Sequence, residues 1–411
     1  MITRIILALI TGYVLTYAQN SDLNSKGIIA INNGDYVTGI TYLEQAYNQN
    51  RTNQHIKHNL VNSYLKYASE LIEKKQLNPA INYADKTFGM SGLPETARIN
   101  LSRIYYNIAI LLYQQKNYKT AEELLNKSEQ MVHSQVPVLI LQGQIAYYKQ
   151  NLSGAENYWK KARQLDPSNA EISKLLARAT KQNSTESKLS SMQSGEIFDI
   201  HYDRGSIGNE IFEIKQHLME CYRELGQEFG YYPPHPIIVI LYNESEFRST
   251  LNVRSQVTGL YDGKIRLPLN FKKYSLTDVK KTIRHEFTHA IVHDLAGNKC
   301  PTWLHEGLAV YSEKGSYNDN IQVVRSALKS NSAFSFQMLS HSQIWNRNDL
   351  APLAYSQSYG VVRYMIQRWG MHVVCDLLLK IKSGQSFESV LSAITNSTIT
   401  ELDRDWKTFV K

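Results

Sequence analysis

At 411 residues, with 43% hydrophobic and 20% charged side chains, the chain is long for one domain and ordinary in composition for a soluble globular protein. Its 45 Lys+Arg against 37 Asp+Glu leave a net charge of +8 without a dense basic block, which argues against a nucleic-acid partner. The three cysteines, Cys221, Cys300 and Cys375, have no C-x-x-C spacing, which excludes a disulfide scaffold and a cysteine zinc site; each reads as a buried, inert thiol.

Arg4 precedes an apolar run from Ile5 to about Leu15, which ends in Thr16-Tyr17-Ala18 before polar Gln19-Asn20-Ser21-Asp22. A positive residue, a short apolar core and small residues at the two positions a signal peptidase reads make residues 1–18 a secretory signal peptide. Cleavage after Ala18 and an extracytoplasmic destination, periplasmic or secreted, are expected. The alternative is an uncleaved anchor, but the run is shorter than the ~20 residues that cross a bilayer. No other stretch is apolar enough, so no transmembrane span is expected after cleavage.

Residues 21–181 are rich in Tyr, Ala, Leu and Asn and periodic at helical spacing. Turn-like signals recur at Gly34-Asp35-Tyr36, Gln76-Leu77-Asn78, Lys116-Asn117-Tyr118 and Gln150-Asn151-Leu152. With the chain registered on Tyr36, Leu77, Tyr118 and Leu152, small residues fall into columns. Gly27, Ala68, Ala109 and Gly143 stand nine positions earlier; Gly39, Ala80, Ala121 and Ala155 three later; Ala46, Thr87, Ser128 and Ala162 ten later. Small side chains at fixed offsets let paired helices approach, with Leu43, Leu125 and Trp159 as the bulk between them. The pattern resembles the tetratricopeptide (TPR) repeat, whose usual period is about 34 residues. Here the intervals are 41, 41 and 34, so longer inter-repeat loops are expected. Each pair needs its neighbours to bury its faces, and the resemblance implies a concave surface for a protein partner or substrate. Asn169 to Lys181 reads as a closing helix.

Residues 182–196, rich in Ser, Gln, Asn and Lys, read as a linker. The composition then changes, and 197–411 reads as an α+β domain. Ile197–Ile200 and Ile237–Leu241 are apolar, β-prone runs, with helical spacing from Asn209 to Phe229 between them. Gly259 to Leu267 looks like a hairpin with Asp262-Gly263 at its turn.

Ser275-Leu276-Thr277-Asp278 is a capping box opening a helix whose apolar stripe includes Val279, Ile283, Phe287 and Leu295, with Gly297 as its stop. This helix carries Arg284-His285-Glu286-Phe287-Thr288-His289. His285 and His289 lie one turn apart, leave the same face and can share a metal ion. Pro301 breaks the chain, Thr302 can cap the next helix, and Glu306 projects from its first turn. Two imidazoles and one carboxylate make a three-ligand zinc site with a position open to water, whose pKa zinc lowers to about 7. Glu286 is then placed to take the proton as general base and pass it to a leaving amine. His293 reads as a surface or structural residue. His305, about 100° around the helix from Glu306, reads as a supporting or substrate-facing group.

The segments H-E-F-T-H and W-L-H-E-G-L-A-V-Y-S-E are similar to those of the gluzincin clan of zinc metallopeptidases, especially the peptidase MA-like domains of exported bacterial proteins. The resemblance covers roughly Phe198 to Trp406 and implies a thermolysin-like α+β fold with one Zn2+ per chain. It implies His285, His289 and Glu306 as ligands, Glu286 as general base, and Glu313 as the carboxylate that buttresses a ligand histidine. It also implies a tyrosine at the start of a later helix, here Gly360 to Gly370, donating to the oxyanion. Tyr355 fits that place, and Tyr359 is its rival. The metzincin pattern fails, because Val292 and Leu295 stand where it requires Gly and His. No counterpart of the acidic motif by which gluzincin aminopeptidases grip a free N-terminus precedes His285, which favours an endopeptidase acting on peptides or proteins. The competing reading is an envelope scaffold whose TPR surface binds a partner and whose metallopeptidase-like domain is silent; the intact Glu286 favours the enzyme.

Overall fold

A computed structural model describes residues 22–205, 207–208, 210–254, 257–269, 275–313 and 317–411. The expected signal peptide, residues 1–18, lies outside the described residues. The chain divides into two compact units between Thr180 and Lys181.

The first unit is a helical repeat array: α1 (22–32), α2 (Tyr36–Gln49), α3 (Gln54–Glu73), α4 (Leu77–Phe88), α5 (Glu95–Gln114), α6 (Tyr118–Met131), α7 (Val136–Tyr148), α8 (Leu152–Leu165) and the start of α9 (Ala170–Glu186). Tyr36, Leu77, Tyr118 and Leu152 are the first residues of α2, α4, α6 and α8. The turns before them share one backbone, with Gly34, Lys75, Lys116 and Gln150 all at φ between +58° and +83°. That left-handed residue closes the preceding helix. Asp35, Asn117 and Asn151 then cap α2, α6 and α8 by accepting from backbone N–H groups two residues into each helix.

The small-residue columns are the helix contacts. Ala80, Ala121, Ala155, Ala46, Thr87, Ser128 and Ala162 are all 0% exposed. A Cβ on Gly27 would stand 2.6 Å from Leu43 Cγ, and one on Gly143 would collide with the Trp159 indole. The longer loops expected between the first repeats are not found. The extra residues lie in α3 and α5, each of 20 residues against 13 in α7. Those two additional helical turns account for the difference between intervals of 41 and 34.

The second unit holds a five-stranded sheet in the order β1-β2-β3-β5-β4. Its strands are β1 (Ser190–Ser194), β2 (Phe198–Tyr202), β3 (Ile237–Asn243), β4 (Leu260–Tyr261) and β5 (Ile265–Leu269). β2, β3 and β5 run parallel, while β1 and β4 pair antiparallel at the two ends. Strand β3 is apolar on both faces because one face meets α10 (Glu210–Phe229) and α12 (Leu276–Ala296), and the other meets α11 (Glu244–Leu251). The helices α13 (Thr302–Ser312), α14 (Tyr317–Lys329), α15 (Phe336–Leu339), α16 (Ser342–Trp345), α17 (Ala351–Trp369), α18 (Met371–Lys382), α19 (Phe387–Thr395) and α20 (Ile399–Val410) complete it. Among the described residues no helix is long and apolar enough to cross a membrane.

Residues 182–196 are not a linker. Gln182 and Glu186 are buried, and β1 extends the sheet by pairing Ser190–Ser194 with β2. The cause is Arg266 on β5, whose side chain is fully buried and needs a counter-charge. Glu186 accepts from its Nη1 at 2.6 Å and from the Tyr242 hydroxyl at 2.5 Å, while Asp262 accepts from its Nε at 3.0 Å. A buried guanidinium without such partners would cost several kcal/mol, so a polar stretch is drawn into the core. All three thiols are free, and burial pushes that of Cys221 up to about 12.

Candidate metal centre

The site is built on α12, and its capping box forms as the sequence predicts. The Ser275 hydroxyl accepts from the Asp278 backbone N–H, and Asp278 accepts in return from the Ser275 N–H. Helix α13 follows after Pro301, which occupies the cap position; Thr302 is already helical and does not cap. Pro301 offers no side-chain acceptor, and its carbonyl oxygen accepts from both the Leu304 and the His305 N–H groups at 3.0 Å. Gly307, beside Glu306, permits the close packing of α13 on α17: a Cβ there would stand 2.6 Å from the Ser358 carbonyl oxygen.

These helices bring His285, His289 and Glu306 together, one potential ligand atom from each lying within 4.8 Å of the others. Glu306 Oε2 stands 3.5 Å from His285 Nε2 and 3.5 Å from His289 Nε2, and it is buried without a hydrogen bond. Two ligand atoms ~2.1 Å from one tetrahedral ion would lie about 3.4 Å apart. The donor set therefore suits a divalent cation of the zinc type, and an orphaned buried carboxylate oxygen faces where it would sit.

Glu313 is brought to the back of His285, where its Oε1 accepts from His285 Nδ1 at 2.7 Å. That bond sets the tautomer and turns Nε2 toward Glu306. Burial opposes charge on His285, but Glu306 and Glu313 outweigh it and raise its pKa to about 10. Burial also opposes charge on Glu306, and His289 with His285 overcomes it, holding the carboxyl well below the usual range. His289 lies edge-on to His285, with ring centroids 4.7 Å apart, and stacks flat on His305 at 4.3 Å. Burial, reinforced by His289, pushes the His305 pKa down to about 3, so it stays a neutral plate against the His289 ring.

Glu286 is 5% exposed, and its Oε2 is buried with no hydrogen-bond partner. Burial raises its pKa above the ordinary carboxylate value, against the pull of His285 and His289. The backbone of Gly259, just before β4, covers its other oxygen: a Cβ on Gly259 would lie 2.5 Å from Glu286 Oε1 and 2.8 Å from its Cγ. Sequence reasoning missed Gly259 in this role. Its place at the start of a hairpin explains a glycine there without reference to Glu286, 27 residues later.

Tyr355 does not precede its helix. Pro352 starts α17 early, so Tyr355 falls in its second turn. Its ring packs edge-on against Trp345 at 5.0 Å. Burial raises its pKa, and the carboxylates of Glu306, Glu286 and Glu313 add to the rise. Tyr359 instead packs by Tyr311 and accepts from Arg363, so Tyr355 is the tyrosine coupled to the cluster. His293 meets Tyr261 edge-on at 5.8 Å and is not among the grouped ligands.

Residues 224–411 match the family model of the Peptidase MA superfamily. No curated protein matches the chain. Among solved structures, a thermophilic TPR protein of Thermus thermophilus is similar at 17% identity, covering 39% of this chain and 80% of that chain with a TM-score of 0.20. So loose a superposition adds nothing to the helix contacts described above. The C-terminal unit contains a Peptidase MA superfamily domain, and a TPR-like helical array precedes it in the chain.

Proposed function

We propose that this Peptidase MA superfamily domain is a zinc-dependent endopeptidase, exported from the cytoplasm, and that the repeat array recruits its protein substrate or a partner. The reading is carried by one observation: three convergent ligand atoms beside a buried carboxylate, Glu286, that has an oxygen without a partner. A zinc ion held by His285, His289 and Glu306 would supply an acidified water and a Lewis acid for the scissile carbonyl.

The chain's own residues supply the rest. Glu286, its pKa raised by burial, accepts a proton from the attacking water and returns it to the leaving amine. Glu313 keeps the Nδ1 proton on His285, leaving Nε2 for the ion. The Tyr355 phenol, kept protonated by burial and the nearby carboxylates, donates to the oxyanion as the carbonyl becomes tetrahedral. β4 is the last strand of the sheet, so an extended peptide can add to it by main-chain hydrogen bonds. The contact of Gly259 with Glu286 brings that edge beside the base.

Export rests on residues 1–18, and a mature chain beginning at Gln19 would support it. The catalytic reading is tested by comparing wild type with Glu286→Gln on a mixed peptide library, with bound zinc measured in both. We expect equal zinc content and a loss of hydrolysis of about 10²–10⁴-fold. Equal activity in the two proteins, or none in either despite stoichiometric zinc, would refute the mechanism.

A further inference from the structure

We propose that Arg284 is a positioning residue for the metal centre, clamping the end of α13 so that Glu313 meets His285. The inference rests on the metal-site reading above. Arg284 immediately precedes His285 on α12 and is 6% exposed. Its Nε donates to the Ser312 carbonyl at 2.7 Å, and its Nη1 donates to Glu224 Oε2 at 2.8 Å. Ser312 is the last residue of α13, and Glu313 is its C-cap.

This position is electrostatically awkward for Glu313. The last carbonyls of a helix have no intrahelical donor and form the negative end of its dipole. A carboxylate there is repelled, and nothing within α13 offsets it. The guanidinium on the Ser312 carbonyl supplies both a donor and the opposite charge. The Ser312 hydroxyl is engaged elsewhere, donating to the Leu308 carbonyl at 2.9 Å. With the backbone so held, Glu313 Oε1 reaches His285 Nδ1 at 2.7 Å.

The contacts form a closed circuit. Arg284 holds Ser312, Ser312 leads to Glu313, Glu313 bonds His285, and His285 is the neighbour of Arg284. Successive residues of α12 thus supply the clamp on Glu313 and the imidazole that Glu313 orients. The identity of the residue before the motif matters for this reason. A lysine offers one point charge and cannot reproduce a fork that reaches both the carbonyl and Glu224.

The test measures zinc affinity, by competition with a chromophoric chelator, on the full chain and independently of hydrolysis. The proteins are wild type, Arg284→Met, Glu313→Gln, the double variant, and Glu224→Gln. Losing an outer partner of a ligand histidine weakens metal binding about 10–100-fold. We expect losses in that range for Arg284→Met and Glu313→Gln, and a double variant no weaker than Glu313→Gln alone. Glu224→Gln, which removes only the charge of the arginine's other partner and leaves an acceptor there, should bind zinc as wild type does. Arg284→Lys, which keeps a cation in place, should show an intermediate loss and carries the test if Arg284→Met does not fold. Wild-type affinity in the arginine variants, additive losses in the double variant, or an equal loss in Glu224→Gln would overturn the assignment. A wild-type chain that binds no zinc would refute the metal site itself and this role with it; zinc binding indifferent to Arg284 would refute the role alone.

Discussion

The repeat array and the C-terminal unit use sequence at different range. In the array, contacts recur at fixed offsets: Gly27 against Leu43 and Gly143 against Trp159 are each 16 residues apart. In the second unit, one site draws on Gly259, on 284–289, on 305–313 and on Tyr355, four segments whose spacing obeys no period. Packing in the array is therefore a property of columns, each position supported by its counterparts in neighbouring repeats. The candidate metal centre is a property of single side chains with no substitutes. Damage to the array should lower stability and leave metal binding intact, whereas damage to the site should do the reverse.

The largest stability effect is expected from Leu125→Ala. Leu125 is fully buried between helices, and its truncation should destabilise the array by about 2–5 kcal/mol. Denaturant unfolding should register the loss while zinc content stays at the wild-type level. A parallel loss of zinc would break the distinction between the two regions.

A smaller and pH-dependent effect is expected at Glu286. Its folded pKa is raised, mainly by burial, so the folded state holds its proton more tightly than the unfolded chain does. The stability it contributes is complete below the unfolded carboxyl value, about 4.3, and is lost as pH rises through the folded pKa. In the metal-free protein, Glu286→Gln should raise the melting temperature at pH 7, and the gain should vanish as pH approaches 4. A gain independent of pH would show that the buried charge is not its source.

The smallest effect is expected at the turns. Lys75, Lys116 and Gln150 occupy the left-handed position that Gly34 fills without a Cβ. Lys116→Gly should stabilise the array by about 1 kcal/mol, the cost of a left-handed side-chain-bearing residue, as read from thermal melts. A destabilised variant would mean that this lysine's other contacts outweigh the relief of its backbone.

How much was legible follows the same division. The columns on Tyr36, Leu77, Tyr118 and Leu152 located four helix starts because a turn and a small residue repeat together. The spacing did not say where the extra residues went, since two more helical turns in α3 and α5 satisfy the period as well as longer loops do. In the second unit the trio His285, His289 and Glu306 was legible from helical geometry and a single break. Long-range partners were not. Residues 182–196 read as a linker because their polarity conceals that Glu186 serves a buried arginine 80 positions later. Gly259 and Arg284 likewise matter through contacts across the fold.

The central claim is that the C-terminal unit is a metal-dependent hydrolase, and chelation with reconstitution tests it most directly. The purified full chain would be stripped with a chelator, titrated with zinc, and assayed on a mixed peptide library at each step. The account predicts one zinc per chain, with hydrolysis abolished on stripping and restored in proportion to zinc occupancy. Hydrolysis that survives complete removal of metal, or zinc bound at one per chain without any hydrolysis, would contradict it.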